Sequence, residues 1–225
     1  MDIIIPKSCF NCGAIGAVVC VNCLKNSRKV DFPVCVVCDR LAIDGITHKI
    51  CFEKGFPVKF VCAYEYRGII KKAIRIAKFG QRAYTILTAL VESSLQNNQI
   101  NVLEQADLII PIPQSEKTKR LLNHAYIIAE VLSKSADKPI VDILEKSSLS
   151  QKKLNRQDRK VKIHGKIGFK YSPQNELMDK TIVLADDIST TGSTFIEASK
   201  VIMAAGAKEV ICYALAKDFR YNIAK

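Results

Sequence analysis

The sequence predicts an α/β fold: a mostly parallel sheet flanked by helices, with a small cysteine-rich module at the N-terminal end. Three observations predict it. Eight of the nine cysteines lie before residue 63. The chain beyond residue 55 alternates short β-rich apolar runs with segments of helical spacing, and its last block reads strand, helix, strand.

At 225 residues the chain has the length for one domain and a smaller appendage, read here as 1–55 and 56–225. A hydrophobic content of 48% excludes wholesale disorder. Apolar runs break off far short of the roughly 20 residues that cross a bilayer, so no membrane insertion is expected. The opening "MDIIIPKSCF" lacks the basic start and long apolar centre of a secretory signal, which predicts a cytoplasmic address. In a reducing compartment, clustered cysteines point to metal rather than disulfides. Lys and Arg number 34 against 22 Asp and Glu, a formal charge of +12. That excess either favours polyanionic partners or marks a basic but unspecialised surface.

The elements follow in order. Cys9-x-x-Cys12 and Cys20-x-x-Cys23, separated by seven residues, have the spacing of a tetrahedral Zn²⁺ knuckle. Cys35-x-x-Cys38 is a third pair, and His48 with Cys51 would complete a second, Cys₃His site. Composition leaves open one zinc or two, and whether neighbouring pairs share a metal. Val58–Tyr66 alternates as a strand. From Gly68 to about Leu95, Ile70, Ala73, Ile74, Ala77, Leu87, Leu90 and Val91 follow helical spacing. Ala106–Pro113 is a short apolar run closed by prolines, as in a buried strand. Lys119–Ser133 reads as a helix and "KPIVDIL" as a strand. From Glu145 to Lys170 the apolar period fails; nine Lys or Arg face two acids, which suits a mobile loop or ribbon. Thr181–Ala185 is a strand, Ser193–Ala205 a helix stopped by Gly206, and "EVICYALA" the closing strand. Cys62 and Cys212 fall within strands as ordinary buried residues.

The residues with most chemistry lie at the end of the Thr181 strand, where open α/β sheets gather their ligands. Asp186 and Asp187 stand side by side, followed by "STTGST", whose glycine, hydroxyls and backbone amides lead into a helix N-terminus and make a phosphate cradle. Two carboxylates beside a phosphate repel it unless the ligand also offers hydroxyl donors or brings a divalent cation. A ribose phosphate with Mg²⁺ does both. The plainer alternative is that Asp187 or Ser189 caps the helix. No G-x-x-x-x-G-K-[ST] and no G-x-G-x-x-G after a strand is present, which argues against nucleotide P-loops and dinucleotide sites.

"VLADDISTTGST" resembles the phosphoribosyl pyrophosphate (PRPP) loop of type I phosphoribosyltransferases. The resemblance implies a type I phosphoribosyltransferase-like sheet, with Asp186 and Asp187 on the ribose hydroxyls. Ser189, Thr190, Thr191, Gly192, Ser193 and Thr194 would then hold the 5′-phosphate. "LIIPIP" is similar to the strand and turn that carry the pyrophosphate loop, implying roles for Pro111, Ile112, Pro113, Gln114 and Ser115. With the cysteine module in front, nearly the whole chain resembles the ComF family, competence proteins associated with natural transformation. "YEYRGIIKKAIRIAKFGQ" matches a family segment, and Gln151, Leu154, Arg159 and Gly165 are similar to its basic hood. Where the family commonly reads R-G-F-N-Q, this chain has "RLLNH", keeping Arg120 and Asn123.

The metal set implied is Cys9, Cys12, Cys20, Cys23, Cys35, Cys38, His48 and Cys51. Lys78 is a further candidate contact, or a solvated helical lysine. Lys152, Lys153, Arg156, Arg159, Lys160 and Lys162 either bind a nucleic-acid backbone or form a solvated face. Phe169 and Tyr171 are candidates to stack on bases. Three functions follow. The first is a PRPP-binding, ComF-type protein that handles single-stranded DNA on the cytoplasmic side during transformation, with competence or DNA-processing proteins as further partners. The second is an active Mg²⁺-dependent phosphoribosyltransferase of nucleotide salvage or synthesis, its zinc structural. The third is a non-catalytic zinc-stabilised adaptor.

Overall fold

The computed structural model describes residues 7–79, 82–95, 101–114, 122–146, 167–173 and 175–219. Its centre is a four-stranded sheet in the order β1-β6-β5-β2, built from β1 (Lys59–Glu65), β2 (Leu108–Pro111), β5 (Thr181–Ser189) and β6 (Glu209–Lys217). Every pairing in it is parallel. Parallel strands need crossovers long enough to carry helices, which cover both faces and leave the strands apolar throughout. Accordingly Ile182, Val183, Leu184 and Ala185 are all fully buried.

One face packs against α2 (Gly68–Phe79), α3 (Ala83–Leu95) and α5 (His124–Ala136), with the short α4 (Asn101–Glu104) before β2, through Ile70, Ile74, Leu87, Leu90, Ile128 and Leu132. The helical spacing expected from Gly68 to about Leu95 is thus two helices, α2 ending at Phe79 and α3 beginning at Ala83. Tyr64 and Tyr213 reach from the sheet to α3, donating to the Leu90 carbonyl at 3.1 Å and sharing a 2.9 Å bond with Ser94. The other face packs against α6 (Ser193–Ala204) through Phe195, Ala198 and Ile202. Asn123 caps α5, its side chain accepting from the Tyr126 N–H. Such a cap contributes about 1 kcal/mol.

The expected strand at "KPIVDIL" forms only in part: Ile140 bridges to Ile109 beside the sheet. The chain then turns into β3 (Leu144–Lys146), which pairs antiparallel with β4 (Ile167–Phe169). The ends of the basic segment therefore form a ribbon. Lys152, Lys153, Arg156, Arg159, Lys160 and Lys162 lie outside the described residues, as do Ser115 and Arg120.

The cysteine-rich residues pack onto the α/β body. Ala63 accepts from the Val30 N–H and Arg28 from the Glu65 N–H, so residues 28–30 run against the outer edge of β1. Cys9, Val18, Val19 and Cys23 join the α2/α3 core, whereas Val34 and Val36 join the α6 core. The module contains α1 (Val21–Lys25) and two short 3-10 turns, one of them Lys49–Cys51. No described helix is long and apolar enough to cross a membrane.

Candidate functional site

β5 continues four residues beyond the expected Ala185, because β6 goes on pairing with it: Asp186 lies opposite Ala214 and Ser189 opposite Lys217. The two aspartates are therefore strand residues, and successive strand side chains leave on opposite faces. Val183 and Ala185 face the α2/α3/α5 core, and Asp187 follows them to meet His124 of α5. Ile182 and Leu184 face the α6 core, and Asp186 follows them toward Cys212. Adjacency in sequence thus becomes separation across a sheet, and both carboxylates border one open cavity of ≈ 310 Å³.

Burial, and then the neighbouring Asp187, push the Asp186 carboxyl well above the usual range, with Lys146 pulling the other way. Asp186 also accepts the Asp187 N–H at 2.8 Å. A site that raises a carboxyl pKa by repulsion favours a ligand that donates hydrogen bonds or brings positive charge. His124, 2% exposed, lies between Asp187 Oδ2 at 3.0 Å from its Nδ1 and the Ala77 carbonyl at 3.2 Å from its Nε2. A ring nitrogen facing a carbonyl must carry its hydrogen. The Nδ1 contact then needs one further proton, on the ring or on Asp187.

Beyond the strand, Thr190 and Thr194 also line the cavity, while Thr191 and Ser193 share a 2.9 Å hydroxyl bond. Gly192 has φ 72°, a left-handed conformation, and any Cβ there would run into the Val36 carbonyl. Ser189 is buried and does not line the cavity. Its hydroxyl has no partner among the described residues. Ile112, Pro113 and Gln114 form the opposite wall with Lys78, whereas Pro111 is buried in β2. A second hollow of ≈ 170 Å³ adjoins it, bordered by Lys146 and by Lys170, which pairs with Asp142 at 2.7 Å.

The eight expected metal ligands form two sets in chain order. Cys9, Cys12, Cys20 and Cys23 make one, and Cys35, Cys38, His48 and Cys51 the other, with each set's donor atoms within 4.8 Å of one another. Separations of 3.7 Å for Cys9–Cys23 and 3.5 Å for Cys12–Cys20 approach the ~3.8 Å edge of a tetrahedron with zinc–sulfur arms of about 2.3 Å. His48 presents Nδ1 to Cys38 at 3.3 Å and donates from Nε2 to the Leu41 carbonyl at 2.8 Å. That outer bond fixes the ring as metal-ligating histidines require. In the first set, burial raises the Cys9 thiol, but backbone N–H bonds from Cys12, Cys20 and Asn11 outweigh it and bring it to about 6. Both sets could hold zinc.

His124, Lys146, Lys217 and Asp39 were not assigned a role from sequence, although each touches the site or its support. Lys217 carries a signal in retrospect, a lone cation closing the apolar strand "EVICYALAK". His124 stands where the ComF pattern has Gln.

The parallel sheet with flanking helices has the type I phosphoribosyltransferase-like fold, with cysteine clusters at its N-terminal end that could hold zinc. Residues 121–223 match the phosphoribosyl transferase domain family. Within that class the chain resembles the ComF competence proteins. It is 27% identical to competence protein F of Haemophilus influenzae over 59% of this chain and 58% of that protein, so it spans little more than half of that relative. It is 24% identical to competence protein ComFC of Streptococcus pneumoniae over 90% of this chain and 82% of that one. A solved purine phosphoribosyltransferase from Pyrococcus horikoshii aligns with 65% of this chain and 83% of its own, at 20% identity and a TM-score of 0.35.

Proposed function

We propose that this is a PRPP-binding protein of the ComF type, acting in natural transformation by handling single-stranded DNA on the cytoplasmic side. The observation that carries the reading is the splaying of Asp186 and Asp187 around one cavity that Thr190 and Thr194 also border. A ribose set between the aspartates donates its hydroxyls to them, and its 5′-phosphate reaches the Thr190–Thr194 loop at the N-terminus of α6. Thr191, Gly192 and Ser193 supply backbone amides there, and Ser189 supports the loop from within. Pyrophosphate lies toward Pro113 and Gln114, with Ser115 continuing that turn. Mg²⁺ carried with the pyrophosphate would bring positive charge that offsets the repulsion between Asp186 and Asp187. Two Zn²⁺ ions in the cysteine sets are structural.

The single-stranded DNA reading rests on the basic run containing Lys152, Lys153, Arg156, Arg159, Lys160 and Lys162, whose charge suits a phosphate backbone. Calorimetry with PRPP and Mg²⁺ tests the pocket: wild type binds and Asp186→Asn/Asp187→Asn loses at least tenfold in affinity. Equal binding by both would sink the assignment. Titration with single-stranded DNA at two salt concentrations tests the basic run, where a flat salt response argues against phosphate contacts.

A further inference from the structure

Lys217 closes β6 and is 1% exposed, a lysine buried as deeply as the apolar core. Its ammonium donates to the Thr190 carbonyl, at the start of the hydroxyl loop, and pairs at 2.8 Å with Asp39. Asp39 directly follows Cys38, a ligand of the second cysteine set. A buried cation is costly unless paired, so this lysine is held by the two groups it joins.

The two cysteine turns make the choice of aspartate informative. In the Cys9–Cys12 and Cys35–Cys38 turns, the residue after the second cysteine donates its N–H to the first cysteine's carbonyl: Gly13 to Cys9 at 2.9 Å, Asp39 to Cys35 at 3.0 Å. Both are left-handed, with φ 77° at Gly13 and 57° at Asp39. Glycine takes that conformation at no steric cost, and aspartate is one of the few other residues that adopts it readily, as Asp44, Asp137 and Asp179 also do. The second turn carries an aspartate where its sibling carries a glycine, and that aspartate's carboxylate meets Lys217. Next to it, the Val36 carbonyl of the same turn abuts Gly192.

We propose that Asp39 and Lys217 are positioning residues for the phosphate loop. The metal-binding turn fixes Asp39, Asp39 fixes Lys217, and Lys217 fixes the Thr190 carbonyl, so PRPP affinity depends on the second cluster being folded around its metal. This rests on the PRPP reading above. Because two ligands that stabilise one conformation raise each other's affinity, metal and PRPP are thermodynamically coupled through this chain of contacts.

The test measures PRPP·Mg²⁺ affinity by calorimetry, zinc content and thermal stability in the full chain for wild type, Asp39→Asn, Lys217→Met and the double variant. Asp39→Asn leaves the buried ammonium unpaired and lowers both stability and affinity, the latter about tenfold. In the double variant no buried charge remains, so stability recovers to that of Lys217→Met or above, while affinity stays about tenfold down and two zincs are retained. A purely structural role makes affinity recover with stability, and that result overturns the proposal. Loss of zinc from the double variant also overturns it. Wild-type binding matched by all three variants sinks this inference alone, whereas failure of wild type to bind PRPP sinks the functional reading with it.

Discussion

Cys9–Cys12 and Cys35–Cys38 close the same turn, yet they abut different parts of the protein. The first set packs its Cys9 and Cys23 with Val18 and Val19 into the core beneath α2 and α3. Its neighbours on α2 touch it from the surface: Lys72 donates to Asn11 at 3.3 Å and its ammonium lies 5.9 Å from the Phe10 ring centre. The second set lies against the loop after β5, through Val36 on Gly192 and Asp39 on Lys217. The same C-x-x-C turn therefore packs into the core in one place and against the candidate phosphate loop in the other. The difference lies in what each turn packs against, not in the turn itself.

The largest effect is expected from removing one candidate ligand from each set. Cys12→Ser and Cys38→Ser should each lower the zinc content from two to one and lower the melting temperature by about 10 °C, since each loses a structural metal. PRPP affinity should fall more than tenfold in Cys38→Ser and stay within about twofold in Cys12→Ser. Equal losses would erase the distinction.

A backbone version of the test is next in size. Gly192→Ala must fit a side chain into a left-handed site against the Val36 carbonyl, costing about 2 kcal/mol or more and displacing the loop. Gly13→Ala, whose Cβ meets nothing within 4 Å, should cost about 1 kcal/mol and leave PRPP binding unchanged. Denaturant unfolding and calorimetry read both.

Charge within the cavity can be separated from loop position. Asp186 has its pKa raised in the fold, by burial and then by Asp187, so its contribution to stability is intact below the unfolded value near 4 and is lost as pH rises through the raised one. Asp186→Asn cannot ionise. It should be more stable than wild type by on the order of 1 kcal/mol at neutral pH, with the difference vanishing toward pH 4, while PRPP binding weakens. Melting curves from pH 4 to 8 check the sign. Smallest is Lys72→Ala, which removes an exposed contact to the first turn. It should change stability by about 0.5 kcal/mol and PRPP affinity not at all.

The strand–helix–strand at the C-terminal end was legible because apolar period and a glycine stop write it locally, and so was the gathering of the candidate metal ligands, since C-x-x-C spacing is itself the geometry. Spacing suggested the two chain-ordered sets but could not decide them against crossed pairing, because pairing is a matter of distance in space. Nor was the extension of β5 through "DDIS", which depends on β6 continuing as its partner. Lys217, Asp39 and His124 escaped for a related reason. Lys217 and Asp39 are far apart in sequence, and nothing in the local pattern of either names the other. His124 sat in view within "RLLNH", but its role is defined by Asp187 and by the end of α2.

One contact set has a consequence for how this protein can be cut. Residues 28–30 run along the outer side of β1, and Ile46 bridges to Lys59 at its start. A chain begun at residue 56 would leave those backbone groups on an open sheet edge, which recruits other strands. Such a fragment should self-associate in size-exclusion chromatography even where its helices and remaining strands are intact. The cysteine-rich segment thus shields the sheet from polymerising along its own hydrogen-bonding direction.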